Sequence, residues 1–259
     1  MTNYWKIVNR LIREADIILE VLDARLVDET RNIELEKKIE LAGKKIIYVI
    51  NKADLVDKSF LDKKKKQIKN CVFVSSVKHY GSKILRERIL MLADKDLVTV
   101  GVVGYPNTGK SSVINMLKGK GAAPVSSTSG FTKGVQKVRV TRRIMMIDSP
   151  GVIPFKRNDE TKLALIGSLN AAKLKNPDLD AMALIENLDG AVEKHYGIEP
   201  GEDSEESLER IAIKKNKLMK GGKPDVMLAA RMMIQDWQKG KIKIMQDSCT
   251  DAKELNISS

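Results

Sequence analysis

The sequence predicts a doubly wound α/β domain with a mostly parallel sheet, followed by a smaller all-helical domain. Three observations carry this expectation. Short β-branched apolar runs alternate with helical patterns from residue 4 to 103, a Gly-rich loop sits where one such run meets a helix, and strand signals stop near Thr161. Continuous apolar strands are covered on both faces, and helices between them impose right-handed crossovers, so neighbouring strands run parallel.

In chain order, Ile17–Leu22 (IILEVL) reads as the first buried strand, Ile33–Leu41 as a helix and Ile46–Ile50 (IIYVI) as the second strand. A helix over Lys58–Ile68, a strand centred on Val72–Val74, a helix over Ser82–Ala93 and a strand over Val98–Val103 follow. The Gly-rich loop then opens a helix at Ser111–Leu117. A Gly/Ser/Thr-rich stretch runs from Gly119 to Gly134, and two strands lie near Val135–Val140 and Ile144–Ile147. Beyond them come four helical patterns, near 161–174, 178–195, 204–219 and 225–238, separated by breakers such as Asn176-Pro177, Pro200-Gly201 and Gly221-Gly222. The expected division is therefore an α/β domain at 1–162 and a helical domain at 163–259.

Composition narrows the class. A chain of 259 residues can bury a substantial core, and 42% hydrophobic with 31% charged residues excludes a disordered or fibrous protein. No apolar run approaches the roughly 20 residues a membrane span needs. Asp16, Glu20 and Asp23 interrupt the stretch where a signal peptide would be uncharged. Cys71 and Cys249 lack the paired spacing of a zinc site or disulfide framework, so a reducing cytoplasm is the expected location. A net charge of +12 points to a polyanionic partner. The charge is uneven. Residues 1–165 hold 32 basic and 18 acidic residues, whereas 166–259 hold 14 and 16, yet within the latter 210–243 has ten Lys/Arg against Asp225 and Asp236.

Gly104-Tyr-Pro-Asn107-Thr108-Gly109-Lys110-Ser111 matches G-x-x-x-x-G-K-[ST] at a strand-to-helix junction, the context this phosphate loop requires. In such a loop backbone N–H groups and the helix N-terminus surround phosphates, Lys110 reaches the β and γ oxygens, and the Ser111 hydroxyl, followed by Ser112, meets magnesium. Asp148-Ser-Pro-Gly151 (D-x-x-G) ends an apolar strand about 40 residues later, placing Asp148 to hold magnesium through water and the Gly151 N–H to face the γ-phosphate. Asn51-Lys52-Ala-Asp54 matches N-K-x-D at the end of IIYVI. Asp54 can accept from the ring N–H and exocyclic amine of guanine, Asn51 can tie loops together, and Lys52 can cover the base, which selects GTP/GDP over adenine nucleotides. Ser75-Ser76-Val77, after the next strand, is placed to offer a backbone N–H to the base oxygen.

The order of these motifs is anomalous, because N-K-x-D precedes the phosphate loop where ordinary GTPases place it last. The domain is expected to be circularly permuted, which the closeness of typical domain termini permits. With Asp23-Ala-Arg25, Arg31-Asn32, Gly130-Phe-Thr132-Lys133 and Gly222-Lys-Pro-Asp225, the chain resembles the circularly permuted ribosome-assembly GTPases of the YlqF type. The resemblance implies a cytoplasmic, monomeric GTPase acting on the large ribosomal subunit precursor and its rRNA, with Thr132 as the switch threonine that closes on magnesium and the γ-phosphate. Alternatives are a GTPase of tRNA modification or transport and a non-catalytic GTP-binding scaffold.

Two departures stand out. The N-terminal F-P-G-H-M segment of bacterial members is not found before His79, so its histidine cannot be carried over, and Val152 follows D-x-x-G where many GTPases use a water-orienting glutamine. Slow intrinsic hydrolysis is expected. Asn107 suits a potassium ion beside the phosphates and equally suits a tight turn. Trp5, Trp237, Met232 and Met233 are expected in core or interdomain packing.

Overall fold

The computed structural model describes residues 3–119, 136–148, 174 and 176–244. It opens with helix α1 (Asn3–Glu14), ahead of the first strand expected from the sequence, and continues β1 (Ile17–Asp23), α2 (Val27–Thr30), α3 (Ile33–Leu41) and β2 (Lys45–Asn51). A short 3₁₀ helix (Ala53–Leu55), α4 (Lys58–Gln67), β3 (Cys71–Phe73), α5 (Ser82–Leu92), β4 (Val98–Val103) and α6 (Lys110–Lys118) follow. Then come β5 (Gln136–Arg139) and β6 (Ile144–Asp148). The six strands form one sheet in the order β3-β2-β1-β4-β6-β5, parallel except for β5, which runs antiparallel to β6.

The strand order follows from burial. β1 lies at the centre, and all seven of its residues are buried. Successive side chains of a strand point to opposite faces. Ile17, Leu19 and Val21 accordingly pack with Leu85 and Ile89 of α5 and Val113 and Leu117 of α6, while Ile18 packs with Leu11 of α1 and Leu35 and Ile39 of α3. Two helical layers thus cover the sheet, and the β-branched strands needed both to escape water.

Residues 176–244 form helices α7 (Pro177–Asn187), α8 (Ala191–Tyr196), α9 (Ser204–Lys214) and α10 (Val226–Gln238). The single helical pattern over 178–195 is divided at Asp189 and Gly190, both of which adopt left-handed φ. The next pattern ends earlier than expected, at Lys214, because Asn216 takes a φ of +52° and the chain closes a small bridge between Leu218 and Pro224. A second core gathers Leu184, Leu208, Ile211, Met233, Ile234 and Trp237, and it also takes in Leu26 from the α/β part. Apart from Leu174, which is buried and not helical, the predicted helix near 161–174 lies outside the described residues, as does the division at 162. No helix among the described residues is long and apolar enough to cross a membrane.

Candidate nucleotide site

Parallel pairing brings the motif-bearing strand ends to one edge of the sheet. Asp23 pairs with Asn51 across β1 and β2, Glu20 with Val103 across β1 and β4, and Val102 with Asp148 across β4 and β6. The loops after β1, β2 and β4 therefore meet at the carboxyl ends of the strands, where open α/β sheets bind ligands.

In the phosphate loop, α6 starts at Lys110 behind Gly109, and no side chain caps its N-terminus, the kind of helix start whose N–H groups can receive an anion. Ser111 and Ser112 are exposed in that first turn. Lys110 is buried, and its Nζ donates to the carbonyls of Gly104 at 2.9 Å and Tyr105 at 2.7 Å, which folds the ammonium over the loop. Thr108 is fully buried and its Oγ1 donates to the Tyr105 carbonyl at 2.9 Å, stiffening the turn. Asn107 is exposed at the loop tip with a φ of +62°.

The base side is fastened directly to this loop. Buried Asn51 donates from Nδ2 to the Thr108 carbonyl at 2.9 Å and accepts on Oδ1 from the Ser76 N–H at 3.1 Å. One amide thus joins three loops. Gly109, with a φ of +96°, is needed for this approach, since a Cβ there would lie 2.2 Å from Asn51 Nδ2. Asp54 sits half-buried in the 3₁₀ helix, Ser75 is buried with its Oγ accepting from the Lys78 N–H at 3.0 Å, and Val77 is exposed.

Lys52, at a left-handed φ of +60°, sends its Nζ to Asp23 Oδ2 at 2.6 Å. Asp23 is buried and also forks onto Arg25, from Nε to Oδ1 at 3.0 Å and from Nη2 to Oδ2 at 2.8 Å. Burial alone would raise the Asp23 pKa, but the charges of Arg25 and Lys52 outweigh it and hold the carboxyl well below its usual range. Burial draws the Lys52 ammonium down, helped by Arg25 and opposed by Asp23. The sequence marked Asp23 and Arg25 only as points of family resemblance. Their signal was a D-x-R pair at the end of a buried strand, where charge survives only if paired.

Of the remaining predicted site residues, Asp148 ends β6 beside the phosphate-loop strand, with its side chain outside what the structure describes. Thr132 and Gly151 lie outside the described residues.

The comparisons fit this layout. A family model described as 50S ribosome-binding GTPase matches residues 99–219. The crystal structure of GNP-bound YlqF from T. maritima superposes with a TM-score of 0.69 at 26% identity, covering 93% of this chain and 96% of that one. The chain is a circularly permuted GTPase of the YlqF type. Curated relatives extend the range. A GTP-binding protein of Methanocaldococcus jannaschii is 47% identical over 245 residues, 92% of this chain and 65% of that protein. Nuclear/nucleolar GTPase 2 of Arabidopsis thaliana is 35% identical over 250 residues, with 43% of its length covered. The chain thus spans less than two thirds of the length of these two curated relatives.

Proposed function

We propose that this chain binds GTP and hydrolyses it to GDP and phosphate, and that the bound nucleotide switches its association with a large ribosomal subunit precursor. The observation that carries the nucleotide reading is the Asn51 amide, which holds an N-K-x-D loop and a phosphate loop from distant parts of the sequence in direct hydrogen bond. A guanine-contacting carboxylate, Asp54, and a phosphate cradle at α6 are thereby held on one side of the sheet.

In this reading the N–H groups at the start of α6 and the Lys110 ammonium take the phosphates, moving from the loop carbonyls to the β and γ oxygens. Asp54 accepts from guanine. The Ser76 N–H is committed to Asn51, so the Val77 N–H is the donor for the base oxygen. The uncapped helix start and the exposed Ser111 hydroxyl fit a magnesium-bound triphosphate; by their motifs Thr132 and Asp148 would help hold the metal and Gly151 would serve the γ-phosphate. Magnesium, when bound, neutralises charge on the β and γ oxygens. Asn107 at the loop tip offers its carbonyl to potassium. Val152 brings no donor or acceptor to the attacking water, so intrinsic hydrolysis is slow.

The partner reading rests on charge and exposed apolar surface. Ile213, Leu218, Met219, Met227 and Leu228 are exposed among Lys214, Lys215, Lys220 and Lys223. Such a patch suits RNA, with lysines on phosphate and apolar groups on sugar and base. The family description and the nucleolar relatives support a ribosomal partner. The protein acts in the cytoplasm as a monomer. Sedimentation with ribosomal subunits, in GDP and in a non-hydrolysable GTP analogue, tests the switch. Association that differs between the two is expected, and equal association would remove it.

A further inference from the structure

The guanine side of the site touches the last helix of the chain at two independent points. The first runs through Arg25, whose Nη1 donates to the Trp237 carbonyl at 2.7 Å, while the guanidinium carbon lies 3.7 Å from the centre of the Trp237 ring. Trp237 is in the last turn of α10 and fully buried, so the cation meets the negative end of that helix. The same guanidinium forks onto Asp23, which holds Lys52. Next to Arg25, Leu26 inserts into the helical core. The second point is Gly240, just past α10. A Cβ there would fall 2.6 Å from Leu55 in the 3₁₀ helix that carries Asp54.

We propose that Asp23 and Arg25 are positioning residues that couple the guanine-contacting Lys52 to the seating of α10, so that nucleotide binding and docking of the helical part are thermodynamically linked. The inference rests on the reading that Lys52 lies against the base. Three features make the coupling physical. A planar guanidinium that spends one edge on Asp23 and another on the helix end cannot turn to follow one without leaving the other. Two cations share one buried carboxylate, so displacing Lys52 onto a base leaves Asp23 to Arg25 alone and tightens that fork. The backbone of Lys52 is held in its left-handed conformation between β2 and the 3₁₀ helix, which confines the change to its side chain. Linkage is reciprocal, and a helical part drawn onto a ribosomal particle would alter nucleotide affinity by the same factor that nucleotide alters particle affinity.

A double-mutant cycle tests this, using a fluorescent GDP analogue on the full chain with Lys52→Ala, Arg25→Lys and the pair. Arg25→Lys keeps the charge but loses the fork, and thermal unfolding checks that each variant folds. It is expected to weaken binding roughly 5- to 20-fold in the wild-type background and to change nothing further in Lys52→Ala, because Arg25 acts through Lys52. The same loss in both backgrounds would mean a merely structural role and overturn the coupling. Unchanged binding by Lys52→Ala alone would instead overturn the base-site reading beneath it. A second measurement uses no change at Arg25. In a Trp5→Phe protein the emission of Trp237 is expected to shift on adding GDP, and emission indifferent to GDP would refute the link.

Discussion

Asp54 and Glu20 show how single carboxylates act in opposite ways. Asp54 is half-buried in the 3₁₀ helix after β2, and in the proposed reading it accepts from two guanine donors. Asp54→Ala should cost about 2 to 4 kcal/mol of guanine-nucleotide binding, as each charge-assisted bond is worth about 1.5 to 3 and the two are not additive. Asp54→Asn should shift preference towards xanthine nucleotides, which competition binding would show; a wild type that binds ATP and GTP equally would sink the assignment. Glu20, by contrast, is sealed inside β1. Its Oε1 accepts from the Asn32 N–H at 2.9 Å, while Oε2 has no hydrogen-bond partner among the described residues. Burial, with the nearby charge of Glu36, pushes its pKa from 4.5 up to about 8. Between those values the native state holds a proton that the unfolded chain has released. The Glu20 contribution to stability is therefore full below 4.5 and is lost as pH rises towards 8. Glu20→Gln imitates the protonated form and should stabilise the protein by about 2 to 4 kcal/mol at the alkaline end, with little change at pH 4. Denaturant melts at both pH values check this, and a wild type whose stability rises across the interval with no response to Glu20→Gln would contradict it.

Among elements, the loops after β2 and β4 depend on each other through Asn51. Asn51→Ala leaves the Thr108 carbonyl and the Ser76 N–H without their partners, at about 1 to 3 kcal/mol for each group that water cannot reach. Affinity for GDP and stability should fall together, as titration and thermal melts would record. Should affinity stay intact, the amide would not be the tie between base and phosphate sides. The strands and their order of motifs were legible because each is a continuous β-branched run ending in a recognisable loop. The helix α1 was less so. Its pattern places Val8, Leu11 and Ile12 inward among Arg and Lys, ahead of the first strand. The break between α7 and α8 was hidden for a related reason, since Asp189-Gly190 interrupts an apolar stripe that resumes in phase. Asn51's role could be inferred from its motif, but Arg25's could not, because its partner Trp237 lies 212 residues away and only packing brings them together.

At the scale of the whole molecule, charge and apolar exposure give different answers about where RNA would sit. The first 165 residues carry the excess of positive charge, including α4, in which no residue is fully buried and Lys63 to Lys66 run consecutively. The helical part carries less net charge but joins its lysines to exposed apolar side chains. Neutralising Lys214, Lys215 and Lys217 together should weaken binding to a ribosomal particle and flatten the slope of log affinity against log salt by about 0.7 to 0.9 for each lost phosphate contact, leaving GTP affinity unchanged. If the α/β part makes the contact instead, the same changes at Lys63, Lys64 and Lys65 would flatten the slope and the first set would not. The sheet itself bears on how such a basic, sticky molecule stays separate from its copies. Its outer strands are β3, only three residues long, and β5, four residues that include Lys137 and Arg139, with Lys137 salt-bridged to Glu14 at 3.1 Å. A short edge on one side and a charged one on the other give a foreign strand few backbone groups to pair with, so the folded six-stranded sheet is guarded against edge-to-edge aggregation.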